Sequence, residues 1–360
     1  MPLDGPRTRP IPNGCWGDPY HRDWVTPFRP LRDGLAGGQW LAWSCFDPRD
    51  NNPGVRVRRL AQKQGHREQN EATMKASDVP HAVEASVATA SAAGLGADDA
   101  TLIHDSVRIA VRLLPGDVLA RVAYESGPGG GQAAAEYEVE VARRLAEAGS
   151  PVGTLDPRVE PRVHRRSGFA GTLWTYYESL QSGIAPPEYA QALLRLHASM
   201  RQVEMRAPHF TDRVAEARSL LDDPSRTPEL GDADRKLLNK TLEILTTSIT
   251  KRGADEQLLH GEPHPDNLLH THMGPLFVDL GTCCRGPVEF DVAHAPEEIS
   301  EHYPGVNTVL LMECRILVLA MVTTWRWDRD DQLPNGRQLA AEWLGKMRSA
   351  LDRYGLDLGR

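Results

Sequence analysis

From Val79 onward, apolar and polar residues recur with periods regular enough to name elements. "VPHAVEASVATASAAGLG" keeps apolar residues at helical spacing and stops at Gly94 and Gly96, which predicts a helix. In "TLIHDSVRIAVRLLPGDVLARVAY" the period shortens to two, which predicts strands over Val107–Leu114 and Val118–Tyr124. Pro115-Gly116-Asp117 joins them as a hairpin. "GQAAAEYEVEVARRLAEAGSPV" returns to helical character, Ala-rich and closed by Gly149 and Pro151. "FAGTLWTYYES" reads as a further strand. After Pro186-Pro187 the pattern turns helical: "PEYAQALLRLHASM" aligns Ala190, Leu193, Leu194 and His197 on one face, and "DADRKLLNKTLEILTTSITKRG" continues it. "NLLHTHMGPLFVDLG" predicts two short strands about a Gly274-Pro275 turn, and helices follow to the C-terminus. The fold class is therefore α+β and two-lobed, a small β-rich lobe ahead of a larger helical one. The divisions fall at 1–73, 74–180 and 181–360.

The first 73 residues break this regularity, with nine prolines, eight glycines and four of the eight tryptophans. Such a stretch is expected to have no fold of its own. It reads as an extension ahead of a start at Met74, or alternatively as a regulatory or substrate-capping arm. Eleven Lys and Arg against eight Asp and Glu make it basic, while the whole chain carries a net charge of -8. That acidic balance argues against nucleic acid as a partner and suits a cationic small molecule.

Five cysteines without C-x-x-C spacing read as reduced thiols. The longest apolar run, Ile316–Val322, is too short to cross a membrane, and the N-terminus lacks an apolar signal core. A cytoplasmic protein of undetermined oligomeric state is expected.

The chemistry concentrates in "HGEPHPDNLLHTHMGPLFVDLG", His260 to Gly281. Pro263 and Pro265 make its first part a loop. Glu262 stands five residues before Asn267, and Asp279-Leu280-Gly281 follows a hairpin. Phosphoryl transfer needs a carboxylate near the attacking hydroxyl and oxygen ligands for Mg²⁺. A protein-kinase catalytic loop spaces its acid and Asn in the same way, ahead of a metal-binding Asp.

With H-G-E-P-H-P-D-N followed by V-D-L-G-T-C-C-R-G-P-V-E-F-D-V-A, the chain resembles the aminoglycoside phosphotransferase and choline-kinase group from about Val79 to Trp327. The resemblance implies a protein-kinase-like fold and transfer of the γ-phosphate of ATP (or GTP), with Mg²⁺, to a small-molecule hydroxyl. By position, Glu262 takes the place of the family's catalytic Asp, beside His264. Asn267 and Asp279 match the metal ligands. His260 and Asp291 fall where support for the loop is expected. Arg121, in "VLARVA", stands where the family has a phosphate-pairing Lys, with Glu138 as its helix partner ahead of Glu136 and Glu140. Asp105 and Ser106 fall in the nucleotide-covering turn, and Tyr177 and Glu178 beside the adenine.

Two departures stand out: Glu262 is one methylene longer than Asp, and Arg121 is a fork rather than a point charge. An altered but working kinase is the leading reading, with aminoglycoside-like acceptors first. The alternatives are a nucleotide-binding pseudokinase, or a kinase for choline, an amino alcohol or a sugar. Acceptor contacts are expected from Leu310–Trp327, and the acidic run Glu297, Glu298 and Glu301 reads as pocket lining or a solvated helix start. "GPGGG" reads as a tether for the Glu138 helix, the histidines near His270 as ordinary hairpin polarity rather than a zinc site, Cys283-Cys284 as buried thiols, and His197 as a core histidine.

Overall fold

The computed structural model describes residues 56–59, 74–106, 108–126, 131–180, 183–331, 333 and 335–355. The expectation for residues 1–73 thus lies outside the described residues except at Arg56–Arg59, which form β1 along the edge of a sheet. The tether "GPGGG" also lies outside them apart from Gly131.

The first lobe continues with α1 (Val79–Ala92), β2 (Ala97–His104), β3 (Arg108–Pro115), β4 (Val118–Tyr124), α2 (Gly131–Glu147), β5 (His164–Arg166) and β6 (Phe169–Thr175). The strands form one sheet in the order β1-β2-β3-β4-β6-β5, antiparallel except for the parallel β1–β2 pair. Alternation decides its two faces. Ile109, Val111 and Leu113 of β3, with Val118, Ala120 and Val122 of β4, turn to one side and are buried with Ala82, Val83 and Ala90 of α1. Arg108 and Arg121 stand on the opposite face, the side covered by α2. β2 was not anticipated. Bulges between Ala97 and Asp99 and between Leu102 and His104 interrupt its register, so the period-2 signal never runs long enough to read.

The second lobe holds α3 (Pro186–Met200), α4 (Phe210–Asp222), α5 (Asp232–Lys251), β7 (Gln257–Leu259), β8 (Leu268–Thr271), β9 (Gly274–Phe277), β10 (Cys284–Gly286), α6 (Val288–His294), α7 (Thr308–Arg326) and α8 (Gly336–Arg353). The β8–β9 turn is His272-Met273 rather than Gly274-Pro275, because Thr271 pairs with Gly274 and its hydroxyl donates to the Gly274 carbonyl at 2.7 Å. One buried cluster gathers Leu242 and Leu245 of α5, Leu317 and Met321 of α7, and Trp343 of α8. Another crosses between the lobes, setting Val141 and Leu145 of α2 and Trp174 of β6 against Leu193 and Leu196 of α3 and Phe277 of β9. This shared cluster fixes the cleft between them.

The apolar run Ile316–Val322 proves to be part of α7, which among the described residues is the helix long and apolar enough to cross a membrane. Most of it is buried inside the lobe. Its Glu313 finds partners there, accepting from Arg252 Nε and Nη2 at 2.7 Å each and from Ser248 at 3.0 Å. Leu317 is fully buried at the centre of this cluster. Leu317→Ala should lower unfolding stability by about 3 kcal/mol, read from the denaturant midpoint.

Candidate active site

The loop carrying His260, Glu262 and His264 leaves β7, which pairs with β10, and its conformation is imposed from below by α6. Asp291 of α6 is fully buried. Its Oδ2 accepts from the backbone N–H of His260 at 2.8 Å and from His197 Nε2 at 2.9 Å, and its Oδ1 accepts from the N–H of Gly261 at 2.8 Å. Tyr303 OH holds the other nitrogen of His197 at 2.7 Å. Burial pushes the Asp291 carboxyl up, but these donors outweigh it and hold it below the ordinary carboxylate range. At Gly261 the chain has φ +87°, and a Cβ there would stand 2.1 Å from the Thr282 carbonyl. Only glycine permits that approach.

His260 joins this loop to the next. Its Nδ1 accepts from the N–H of Glu262 at 3.3 Å and its Nε2 donates to the Val278 carbonyl at 2.9 Å, so the ring is neutral, as its burial also favours. The N–H of Val278 returns to the Asn267 carbonyl at 2.9 Å. Asn267 and Asp279 are thereby brought to adjoining backbone segments. The Asn267 amide nitrogen donates to the Glu262 carbonyl at 3.0 Å and lies 3.2 Å from His264 Nε2. His264 Nδ1 accepts from the N–H of Asp266 at 3.2 Å, and burial lowers its pKa.

Asp279 adopts left-handed backbone angles, φ 63° and ψ 64°, a costly conformation that Asp tolerates better than most residues. Arg121 Nη2 donates to its Oδ1 at 2.8 Å, while Arg121 Nη1 reaches Glu138 Oε1. A second arginine, Arg108, donates from Nη1 to Glu138 Oε2 at 2.6 Å. Burial alone would raise the Asp279 carboxyl, but the guanidinium groups of Arg121 and Arg108 hold it well below the usual range. Glu138 is fully buried on α2, and Tyr137 beside it donates to the Cys283 carbonyl at 2.6 Å. The helix is thus tied to the segment that follows Asp279.

Glu262 is buried and paired with Arg213 of α4, a residue the sequence reading did not single out. Burial raises its carboxyl, and Arg213, followed by His294 and His264, brings it below the ordinary value. Ser106 closes the β2–β3 turn on itself, donating to the Arg108 carbonyl at 3.0 Å and accepting from the Arg108 N–H at 3.2 Å. That N–H is already engaged within the turn, and Asp105 sits beside it. Tyr177 OH meets Thr154 at 2.9 Å just beyond β6, and Glu178 is exposed.

Arg108, Arg213 and the support given by His197 went unseen in the motif. The alternation of β3 places Arg108 on the face of Arg121 and was the available signal. Nothing local marks Arg213, which acts from a helix about fifty positions earlier in the chain. One expectation needs correction. Leu310–Trp327 does not present a row of acceptor contacts, since α7 is core, and only its end reaches the site, where Trp325 lies 5.2 Å from the Arg213 guanidinium. The acidic run does open a short 3-10 helix, Glu297–His302, with Glu298 and Glu301 exposed, while Glu297 is half-buried and pairs with Arg315 at 3.6 Å, where burial raises its carboxyl. Cys283 and Cys284 are buried, with their thiols pushed up by burial. Among the described residues no three His, Cys, Asp or Glu side chains gather as a zinc site requires.

A family model described as the phosphotransferase enzyme family matches residues 108–304, more than half of the chain. The chain belongs to this family. Its fold is protein-kinase-like, as three solved structures illustrate. The amicoumacin kinase hAmiN, in complex with AMP-PNP, Ca²⁺ and Ami, has 11% identity over 76% of this chain and 96% of its own, with a TM-score of 0.59. A choline/ethanolamine kinase family protein from Mesorhizobium loti has 15% identity over 70% and 88%, TM-score 0.51. The choline kinase LicA from Streptococcus pneumoniae has 12% identity over 69% and 90%, TM-score 0.51. No curated protein matches the sequence.

The donor set suits a hard cation such as Mg²⁺: an anionic carboxylate and a side-chain amide on adjoining segments, with few protein ligands in all. Mg²⁺ sites of this kind are completed by water and substrate phosphate. Their scaffold depends on Asp291. Asp291→Asn must turn an NH₂ toward at least one of its three donors, and should destabilise the phosphotransferase by about 3 kcal/mol, measured by chemical denaturation.

Proposed function

We propose that this phosphotransferase moves the γ-phosphate of ATP or GTP onto a hydroxyl of a small molecule, with Mg²⁺ as cofactor. The observation that carries the reading is the chain of contacts Glu138–Arg121–Asp279, with Arg108 on the same glutamate. It spans the two lobes and sets two guanidinium groups beside a carboxylate held in its charged form. Transfer of a phosphoryl group is mostly positioning and charge neutralisation, and this arrangement is built for both. Arg121 and Arg108 would pair with the nucleotide phosphates, the arginine fork serving where a lysine would present a point charge. Asn267 and Asp279 would hold the cation, which when bound neutralises the charge on the phosphates. Glu262 would orient the acceptor hydroxyl. The segment at Tyr177 and Glu178, which leaves β6 and is tied back by the Leu180 N–H to His270 carbonyl bond at 2.7 Å, would meet the base.

The acceptor is a hydroxylated, amine-bearing molecule, with amino sugars, choline and amino alcohols as the first panel. The solved neighbours act on such molecules by name, amicoumacin and choline among them, and support the panel without choosing within it.

A thermal-shift screen with ATP and GTP, with and without Mg²⁺, followed by assay of phosphate transfer to the panel, tests the reading. Nucleotide with Mg²⁺ should raise the melting temperature, and at least one acceptor should be phosphorylated. Asp279→Asn should lose the Mg²⁺-dependent part of the shift and about 10²–10³-fold in turnover. A nucleotide shift with no transfer to any acceptor would leave a nucleotide-binding module in place of a kinase.

A further inference from the structure

Glu262 is longer than the aspartate the family motif places there, and the structure supplies it with a partner outside the motif. We propose that Arg213 is the positioning residue for Glu262: it draws one carboxylate oxygen to α4 and leaves the other to receive the acceptor hydroxyl. The inference rests on the kinase reading above and concerns the same site.

Arg213 is held as firmly as the loop it faces. The N-terminus of α4 carries a capping box, in which His209 accepts from the Thr211 N–H and Asp212 accepts from the His209 N–H at 2.8 Å. The Arg285 N–H donates to the Pro208 carbonyl at 2.7 Å, and Phe210, fully buried, lies 5.2 Å from the Phe290 ring of α6. The base of α4 is thereby fastened to β10 and to the helix that carries Asp291. Farther along, the Arg213 guanidinium is 5.2 Å from the Trp325 ring, and its Nη1 reaches the Gly261 carbonyl at 3.5 Å. Backbone, indole and carboxylate therefore set three sides of the guanidinium.

Charge makes the same point. The ionisable groups that bear most on Glu262 are Arg213, His294 and His264. Among the described residues, Arg213 is the cation in direct contact with this buried carboxylate. Without it the carboxylate would be an unpaired charge, which relaxes by moving. Arg213 takes Oε1 of Glu262, so Oε2 is the oxygen that meets the acceptor. An aspartate at the same backbone position would fall one methylene short of the guanidinium. Length of acid and presence of arginine form one matched pair, and the shorter acid is a loss here rather than a repair. The net charge of the pair is zero, so a cationic group on the acceptor is met elsewhere and a neutral hydroxyl is what fits beside Glu262.

Four variants test this in the full-length protein: Arg213→Met, Arg213→Lys, Glu262→Asp and the double Arg213→Met/Glu262→Asp. They are assayed with Mg²⁺-nucleotide and the best acceptor of the panel. Arg213→Met should lower kcat about 10²-fold, with the nucleotide-induced thermal shift unchanged. Arg213→Lys should recover most of that loss. Glu262→Asp should fall to a similar level, and the double variant should be no worse than either single, because each removes the same placement. Retention of kcat within about twofold in Arg213→Met, a gain in Glu262→Asp, or losses that multiply in the double would each overturn the proposal. If Arg213→Met fails to fold, the Arg213→Lys and Glu262→Asp results decide. Crystal structures of the wild type and Arg213→Lys separate the two levels of inference. A Glu262 carboxylate unmoved by the substitution sinks the positioning role even if no turnover is found. Absent turnover with a displaced carboxylate sinks only the kinase reading.

Discussion

A carboxylate with no exposure to water is costly unless donors surround it, and Asp291 is tolerated because two backbone N–H groups and His197 converge on its two oxygens. Everything in the site hangs from that convergence. The N–H groups belong to His260 and Gly261, so the bend that presents Glu262 is fixed by a side chain thirty residues further along. His260, once seated, sets its ring between the Glu262 N–H and the Val278 carbonyl, and Val278 delivers Asp279. The positive φ of Gly261 and its closeness to Thr282 follow from the same packing. A loop held so tightly does not have to become ordered when substrates arrive, which lowers the entropic cost of reaching a reactive geometry.

The charged side chains around this frame follow one rule. Three buried or half-buried acids face an arginine from a different element: Glu138 faces Arg108 and Arg121, Asp279 faces Arg121, and Glu262 faces Arg213. Arginine suits the task because its fork can reach two carboxylates at once. Arg121 does so, binding Glu138 through Nη1 and Asp279 through Nη2. A lysine ammonium would make a single-point contact there. The bridge joins α2 of the small lobe to the loop of the large one, and the Tyr137–Cys283 hydrogen bond runs beside it. The cleft is closed by polar contacts at its mouth and by the shared apolar cluster behind.

The motif was legible because its residues are close in sequence and chemically restricted. Prolines at 263 and 265 forced a loop, an acid and an amide five positions apart implied joint work on phosphate, and the alternating apolar residues of β3 and β4 announced a hairpin. Glu138 could be picked from three neighbouring glutamates because it shares a helix face with the buried Val141, Ala142 and Leu145. Other features were hidden for physical reasons. β2 is broken by bulges, so its period is irregular. The turn at His272-Met273 is set by the Thr271 hydroxyl, a contact that a search for Gly-Pro overlooks. α7 looks like a surface able to vary, yet its Glu313 is bound internally by Arg252 and it serves as core.

Arg213 shows a more general limit. Whether an acid can do a given job depends on what stands beside it, and a buried carboxylate is placed by its counter-charge as much as by its own backbone. A motif records the backbone and the acid but not the counter-charge, which can come from any element that packs nearby. Judged from the motif, glutamate for aspartate is a defect, an overlong side chain in a position that tolerates little error. With Arg213 in place, the added length spans the gap to α4, and the carboxylate is held at a point that a shorter acid could not reach while keeping that partner. The acid and its arginine then act together, and the consequence of either cannot be read alone.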